Sequence, residues 1–332
     1  MLGQLKRIAY QSGRSVWSYA TRYENHLRYL LNGALIAEER ERAKRSTNVL
    51  VCEQLEMSLD WLDAAAASLH LKKLGCLLVR GNDETRSTIE GYRKFLDRVG
   101  YTQPRPPRGG ALWFQKEPTF QFHMHRLVQR HFYELCRDYF ASDLFLSSSG
   151  TTASIGTVLA TSQTGVVPFH QDVSPVDINR ALTFWIAIDP DHIGRDAPGL
   201  RFIASTLARR TRAMTHQTDE FGSHELAPGL RADEFFWTPE INVGDVMIFD
   251  PYSPHASFSE SAMTRSRTSV DLRVCAFKKR QARAYLSAGH GPIIFDSCEM
   301  ITPTQMIDGK LQYDQPALRS SLRQAFETMI GR

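Results

Sequence analysis

From residue 74 to residue 279 the apolar positions fall in short runs divided by turn-forming residues, and on either side they fall at helical spacing. GCLLVRG (75–81), SDLFLSSSG (142–150), TTASIGTVLATSQ (151–163), ALTFWIAID (181–189) and the run after Gly244-Asp245 read as strands. Short, regularly spaced strands of this kind predict a sandwich of two sheets and not a parallel sheet. Upstream, Leu30, Leu31, Leu35 and Ile36 form one helical stripe and Trp61, Leu62 and Leu69 a later one. Asp83 opens a helix running through Ile89, Tyr92, Phe95 and Leu96. TQPRPPRGG (102–110), with three prolines and two glycines, is a loop. The charged stretch from Leu207 to Trp237 reads as an excursion between strands, of the kind that can serve as a lid. After Lys279, residues 281–286 and 316–330 read as helices, with PIIFDSCEMI between them a strand or loop. The division predicted is a helical extension over 1–73, a mainly β core with flanking helices over 74–279, and a helical extension over 280–332.

Composition narrows what such a fold does. The chain has 332 residues and ordinary apolar and charged fractions. Its net charge of +4 is modest and dispersed, which suits anionic small molecules and argues against nucleic acid. The basic cluster ERERAKR (39–45) is interrupted by acids and reads as a solvated helix face. Five scattered cysteines with no CxxC pair suit a reducing compartment. No run approaches ~18 apolar residues, so no membrane span is expected, and the opening residues lack the apolar core of a secretory signal. A cytoplasmic location is expected.

Candidate chemistry lies in TGVVPFHQD (164–172) and GDVMIFDPYSPHASF (244–258). In an extended strand His170 and Asp172 project to one side and Gln171 to the other. His255, after a turn with Pro251 and Pro254, supplies a third donor. Two imidazoles and one carboxylate with open positions opposite make the donor set preferred by non-haem Fe(II) oxygenases. Farther on, Arg267, Ser269, Asp271 and Arg273 share one face of a strand. An inward guanidinium needs a partner, either a bound carboxylate or an internal salt bridge to Asp271 or Asp245. His123 and His125 in FQFHMHR imitate a metal pair but have no third donor in a matching strand context, and read as structural or surface residues.

HxD, then Gly-Asp before a strand, then His, then Arg-x-Ser is an order that resembles the phytanoyl-CoA dioxygenase-like family of Fe(II)/2-oxoglutarate oxygenases. Over residues 74–279, GCLLVRG resembles that family's opening strand, ALTFWIAID its strand after HxD, and APGLRFIAST its central loop and strand. The resemblance implies a double-stranded β-helix (jelly roll, cupin-like). It also implies an oxidoreductase that hydroxylates a small organic substrate with Fe(II), 2-oxoglutarate and O2, releasing succinate and CO2. Carried over by position, His170, Asp172 and His255 would bind iron, Arg267 the distal carboxylate of 2-oxoglutarate, and Ser269 and Thr183 would assist.

Two further features refine that expectation. Where the family usually shows Pro-Gly-Ser-His after its central strand, this chain has Ala204-Ser205-Thr206-Leu207, so the substrate pocket does not transfer by analogy. HxD is intact, whereas halogenating members typically lack that carboxylate, which favours hydroxylation. Desaturation, epimerisation or cyclisation by the same cofactors stands as an alternative, as does a non-catalytic binding jelly roll. Trp185, Arg273 and Trp113 are candidate substrate contacts: Trp185 shares strand parity with Thr183 or packs in the core, and Arg273 holds a substrate anion or pairs with Asp271.

Overall fold

The computed structural model describes residues 55–98, 118–148, 154–158, 169–172, 181–203, 214–218, 224–226, 236–277, 292–297, 300–301, 304–307 and 310–313. Its helices are α1 (Ala64–Leu74), α2 (Asp83–Arg98) and α3 (Pro118–Phe140). The strands before the HxD motif are β1 (Glu56–Ser58), β2 (Cys76–Arg80), β3 (Phe145–Ser148) and β4 (Ser154–Val158). After it come β5 (Ala181–Asp189), β6 (Gly199–Ile203), β7 (Met214–Thr218), β8 (His224–Leu226) and β9 (Phe236–Trp237). Then follow β10 (Val246–Phe249), β11 (His255–Phe258) and β12 (Arg267–Ala276), and finally β13 (Pro292–Phe295), β14 (Met300–Ile301), β15 (Thr304–Ile307) and β16 (Lys310–Tyr313).

The large sheet runs β1-β2-β10-β5-β12-β3-β13-β14, with β4 also pairing β12, and a small sheet runs β11-β6-β9. Every pair in both is antiparallel except β1 with β2. Successive strands alternate between the sheets: β5 lies in the large one, β6 and β9 in the small, β10 in the large, β11 in the small, β12 in the large. That alternation is the strand order of a double-stranded β-helix.

Side-chain parity divides the core into two layers. Along β5, Leu182, Phe184, Ile186 and Ile188 face a layer shared with Leu71 of α1, Ile89 of α2 and Phe132 of α3. Trp185 and Ala187 face the other way, into a layer with Met247, Phe249, Leu200, Phe202 and Trp237 between the sheets. ALTFWIAID is therefore apolar almost throughout because helices cover one face and the small sheet the other. Asp63 caps α1 by accepting from the Ala66 amide at 3.0 Å, and Gly75, at φ 83°, ends it and turns the chain into β2.

Two stretches differ from the sequence expectation. Residues 56–58, within the span expected to be helical, form β1 beside β2. Within 280–332, β15 and β16 pair in a span expected only as part of a helical extension, while β13 and β14, in the PIIFDSCEMI expected as strand or loop, extend the large sheet through β3. The helices expected over 1–54, 281–286 and 316–330 lie outside the described residues, as does most of the 207–237 excursion, of which β7 and β8 form a hairpin and β9 joins the small sheet. His125 is in α3, not a strand, and is buried. Cys76, Cys136 and Cys275 are buried and form no disulfide among the described residues. Among the described residues no helix is long and apolar enough to cross a membrane.

Candidate metal centre

His255 is the first residue of β11, at the end of a tight turn. The Asp250 amide donates to the Gly75 carbonyl, and Asp250 in turn accepts from the amides of Tyr252 (2.9 Å, side chain) and Ser253 (3.1 Å, carbonyl). Nδ1 of His255 lies 3.0 Å from the Ser253 carbonyl, which can only accept, so Nδ1 carries the proton and Nε2 is the free donor atom. The ring packs on Phe249 (centroids 4.6 Å apart) and stacks on Phe202 (5.9 Å). Burial, with His170 beside it, pushes its pKa down to about 4, so near neutrality the ring is uncharged, the state a ligand needs.

His170 is tied to His255 through the main chain, each amide donating to the other's carbonyl at 2.9 and 3.0 Å, and the rings lie 4.2 Å apart. The Gln171 side chain turns away and donates to the Tyr252 carbonyl, pinning the turn that carries His255. Asp172 comes back to the His170 side, its Oδ1 3.6 Å from His170 Nε2, while its Oδ2 meets Nη2 of Arg273 at 2.9 Å. Burial alone would raise the Asp172 pKa, but Arg273 and the two imidazoles outweigh it and hold the carboxyl down to about 2. One donor atom from each of His170, Asp172 and His255 falls within 4.8 Å of the other two. That is a set of two imidazole nitrogens and one carboxylate oxygen, with the chemistry of a divalent transition-metal site.

The remaining candidates line the strands that floor this centre. Across the β5–β12 ladder Arg273 stands opposite Thr183, Asp271 opposite Trp185, and Ser269 opposite Ala187. Thr183, Ser269 and Trp185 are all buried. Trp185 packs in the layer between the sheets with the Arg267 guanidinium 5.2 Å from its ring centre, so it sits both in the core and in the row leading from the centre to Arg267. Arg267 is buried, and its Nη1 donates to the Gly199 carbonyl at 2.7 Å and the Pro198 carbonyl at 3.4 Å. Its Nε has no hydrogen-bond partner among the described residues, and burial alone lowers its pKa to about 10. Neither internal salt bridge weighed for it from sequence is formed among the described residues. Asp245 is engaged by Arg80 at 2.9 Å and by the Gly81 and Asn242 amides. Asp271 is raised by burial to about 7, with one oxygen lacking a partner among the described residues. Trp113 lies outside the described residues.

Asp250, Ser253 and Phe249 shape this centre without standing out in the sequence. The one available signal is Asp250 ahead of the Pro251–Pro254 turn, since Asp at a turn start accepts local amides.

No protein-family model matches the sequence, and a comparison with curated proteins finds no match either. Among solved structures the chain is similar to the epimerase SnoN in complex with Fe3+, alpha ketoglutarate and nogalamycin RO. That likeness has a TM-score of 0.47 and 15% identity, over 64% of this chain and 85% of that one. It is also similar to the non-heme alpha ketoglutarate dependent carbocyclase SnoK (TM-score 0.46, 13% identity, 67% and 87% of the two chains). A third likeness is to AviO1 from Streptomyces viridochromogenes (0.42, 15%, 64% and 95%).

Proposed function

We propose that this chain is an Fe(II)- and 2-oxoglutarate-dependent oxygenase of the phytanoyl-CoA dioxygenase-like kind, hydroxylating a small organic molecule in a reducing compartment such as the cytoplasm. The observation that carries the reading is the pairing of two features inside one barrel: the His170–Asp172–His255 donor set, and a buried Arg267 with no carboxylate against it among the described residues. A buried guanidinium left in that state is costly, and a ligand carboxylate would satisfy it through its planar fork.

In this reading Nε2 of His255, a nitrogen of His170 and Oδ1 of Asp172 hold iron. Arg267, with Ser269 on the same strand face, takes the far carboxylate of 2-oxoglutarate, and Thr183 assists. The spacing suits this: Gly199, which Arg267 touches, is three residues along β6 from Phe202, the ladder partner of His255, or about 10 Å at strand rise. A five-carbon diacid fits between the two. When bound, iron, keto acid and dioxygen together would supply the oxidising power, the keto acid leaving as succinate and CO2. The chain supplies geometry and dryness: Phe202 and Phe249 wall the His255 imidazole, and Trp185 lies against the Arg267 guanidinium.

Under anaerobic conditions Fe(II) and 2-oxoglutarate together should give the full-length protein a weak visible charge-transfer band, absent in Asp172→Ala. The wild type should also consume 2-oxoglutarate against a metabolite panel only when metal is present. Turnover by metal-stripped protein, or an undiminished Asp172→Ala variant, would overturn the assignment. No consumption with any metal would favour a binding jelly roll. Product mass separates hydroxylation, a gain of oxygen, from desaturation or ring closure, a loss of two hydrogens, and from epimerisation, which leaves mass unchanged.

A further inference from the structure

Arg273 points at the same centre as the three donor residues. It lies within β12, directly across from Thr183 of β5, in the middle of the large sheet. Its carbonyl accepts from the Ser147 hydroxyl at 2.9 Å, and that oxygen lies 2.6 Å from Nε2 of His125 on α3. A serine hydroxyl has one proton, and it goes to the Arg273 carbonyl, so His125 must donate through Nε2. A buried polar chain thus ties the Arg273 backbone to the helix behind the sheet. On the opposite face its guanidinium meets Oδ2 of Asp172 at 2.9 Å, while Oδ1 is the oxygen turned to His170.

We propose that Arg273 is a positioning residue that fixes the denticity of Asp172: by occupying Oδ2 it leaves Oδ1 as the single oxygen available to a metal. This rests on the metal centre proposed above. The consequence is a matter of counting. A six-coordinate ion held by three protein atoms would have three further positions, of which a chelating keto acid would use two. A carboxylate gripping with both oxygens would consume the third. Arg273 prevents that while its own charge balances the buried carboxylate.

Co(II) titrated into the full-length metal-free protein, without any organic ligand, reads the coordination directly. The wild type should give a defined visible ligand-field spectrum. Arg273→Met should change the shape and intensity of that spectrum, and Arg273→Lys, which can still bond Oδ2, should restore it. A counter-ion with a purely structural role would lower thermal stability in Arg273→Met without altering the spectrum. Adding 2-oxoglutarate to the Co(II) forms should show affinity at least about tenfold weaker in Arg273→Met than in wild type. If Arg273→Met does not fold, Arg273→Gln, which keeps a single neutral donor, replaces it and should give an intermediate spectral change. An Arg273→Met or Arg273→Gln spectrum identical to wild type overturns the proposal while leaving the metal centre standing. A wild type that binds no Co(II) overturns the metal centre itself.

Discussion

Arg265 and Arg267 are two residues apart and carry the same charge, yet one is exposed at the turn and the other is buried against Gly199 and Trp185. A charge-assisted bond is worth roughly 1.5–3 kcal/mol. Arg267→Ala should therefore raise the apparent KM for 2-oxoglutarate at least about tenfold, with a smaller effect on the organic substrate, and Arg265→Ala should be nearly silent. Steady-state kinetics on the two variants checks this, and equal effects would count against Arg267 as the anchor. Much of this residue-scale picture can be read from the sequence, because strand parity assigns a face: Arg267, Ser269, Asp271 and Arg273 were expected on one side of β12. Parity does not assign depth or the partner across the barrel. Nothing in RSRTSVDLR says that Arg273 meets Asp172, about a hundred residues earlier, or that Asp271 is left with an oxygen unpartnered among the described residues.

At the scale of elements, β2, β5 and β10 are legible because each is an apolar run bounded by turn residues. β1 is not: EMS has neither length nor alternation, and it is a strand because β2 offers it an edge and Arg80 of β2 grips Glu56 at 2.7 Å. The start of β10 depends on a close backbone approach that the sequence shows only as two glycines. A side-chain carbon on Gly81 would meet the Gly244 carbonyl oxygen at 2.2 Å, and Gly244 itself sits at φ 93° with the Arg86 amide 2.9 Å from where its own would be. Gly244→Ala should destabilise the fold by about 1–3 kcal/mol, visible as a lower urea midpoint. Gly91, which has nothing within 4 Å of such a carbon, is the control: Gly91→Ala, inside α2, should be neutral or stabilising.

At the scale of the whole molecule, Asp191 joins parts of the chain far apart in sequence, accepting from the Val243 amide at 2.9 Å and from Arg86 of α2 at 3.3 Å. Burial pulls its pKa upward, but the Val243 amide and Arg86 outweigh that and leave it below the usual carboxylate value. A carboxylate whose folded pKa is depressed contributes stability above its unfolded pKa of about 3.9 and loses that contribution as pH falls through the folded value. Asp191→Asn should accordingly be less stable than wild type near neutrality. The gap should close as pH is lowered below about 4, as followed by thermal melts. A gap independent of pH would mean that the loss comes from altered geometry and not from the carboxylate's charge.

The reciprocal backbone bonds between His170 and His255 have a consequence that deuterium can read. Each amide donates to the other residue's carbonyl, beside β11 at one side of the described small sheet, so one opening event exposes both. In solution their hydrogen-exchange rates should match, and they should exchange ahead of the amides within β5 and β12 at the middle of the large sheet. A divalent ion held by both side chains would slow the pair together and by the same factor, leaving the distant β15–β16 hairpin unchanged. Unequal slowing of the two amides would show that the ion grips one strand and not the seam between them.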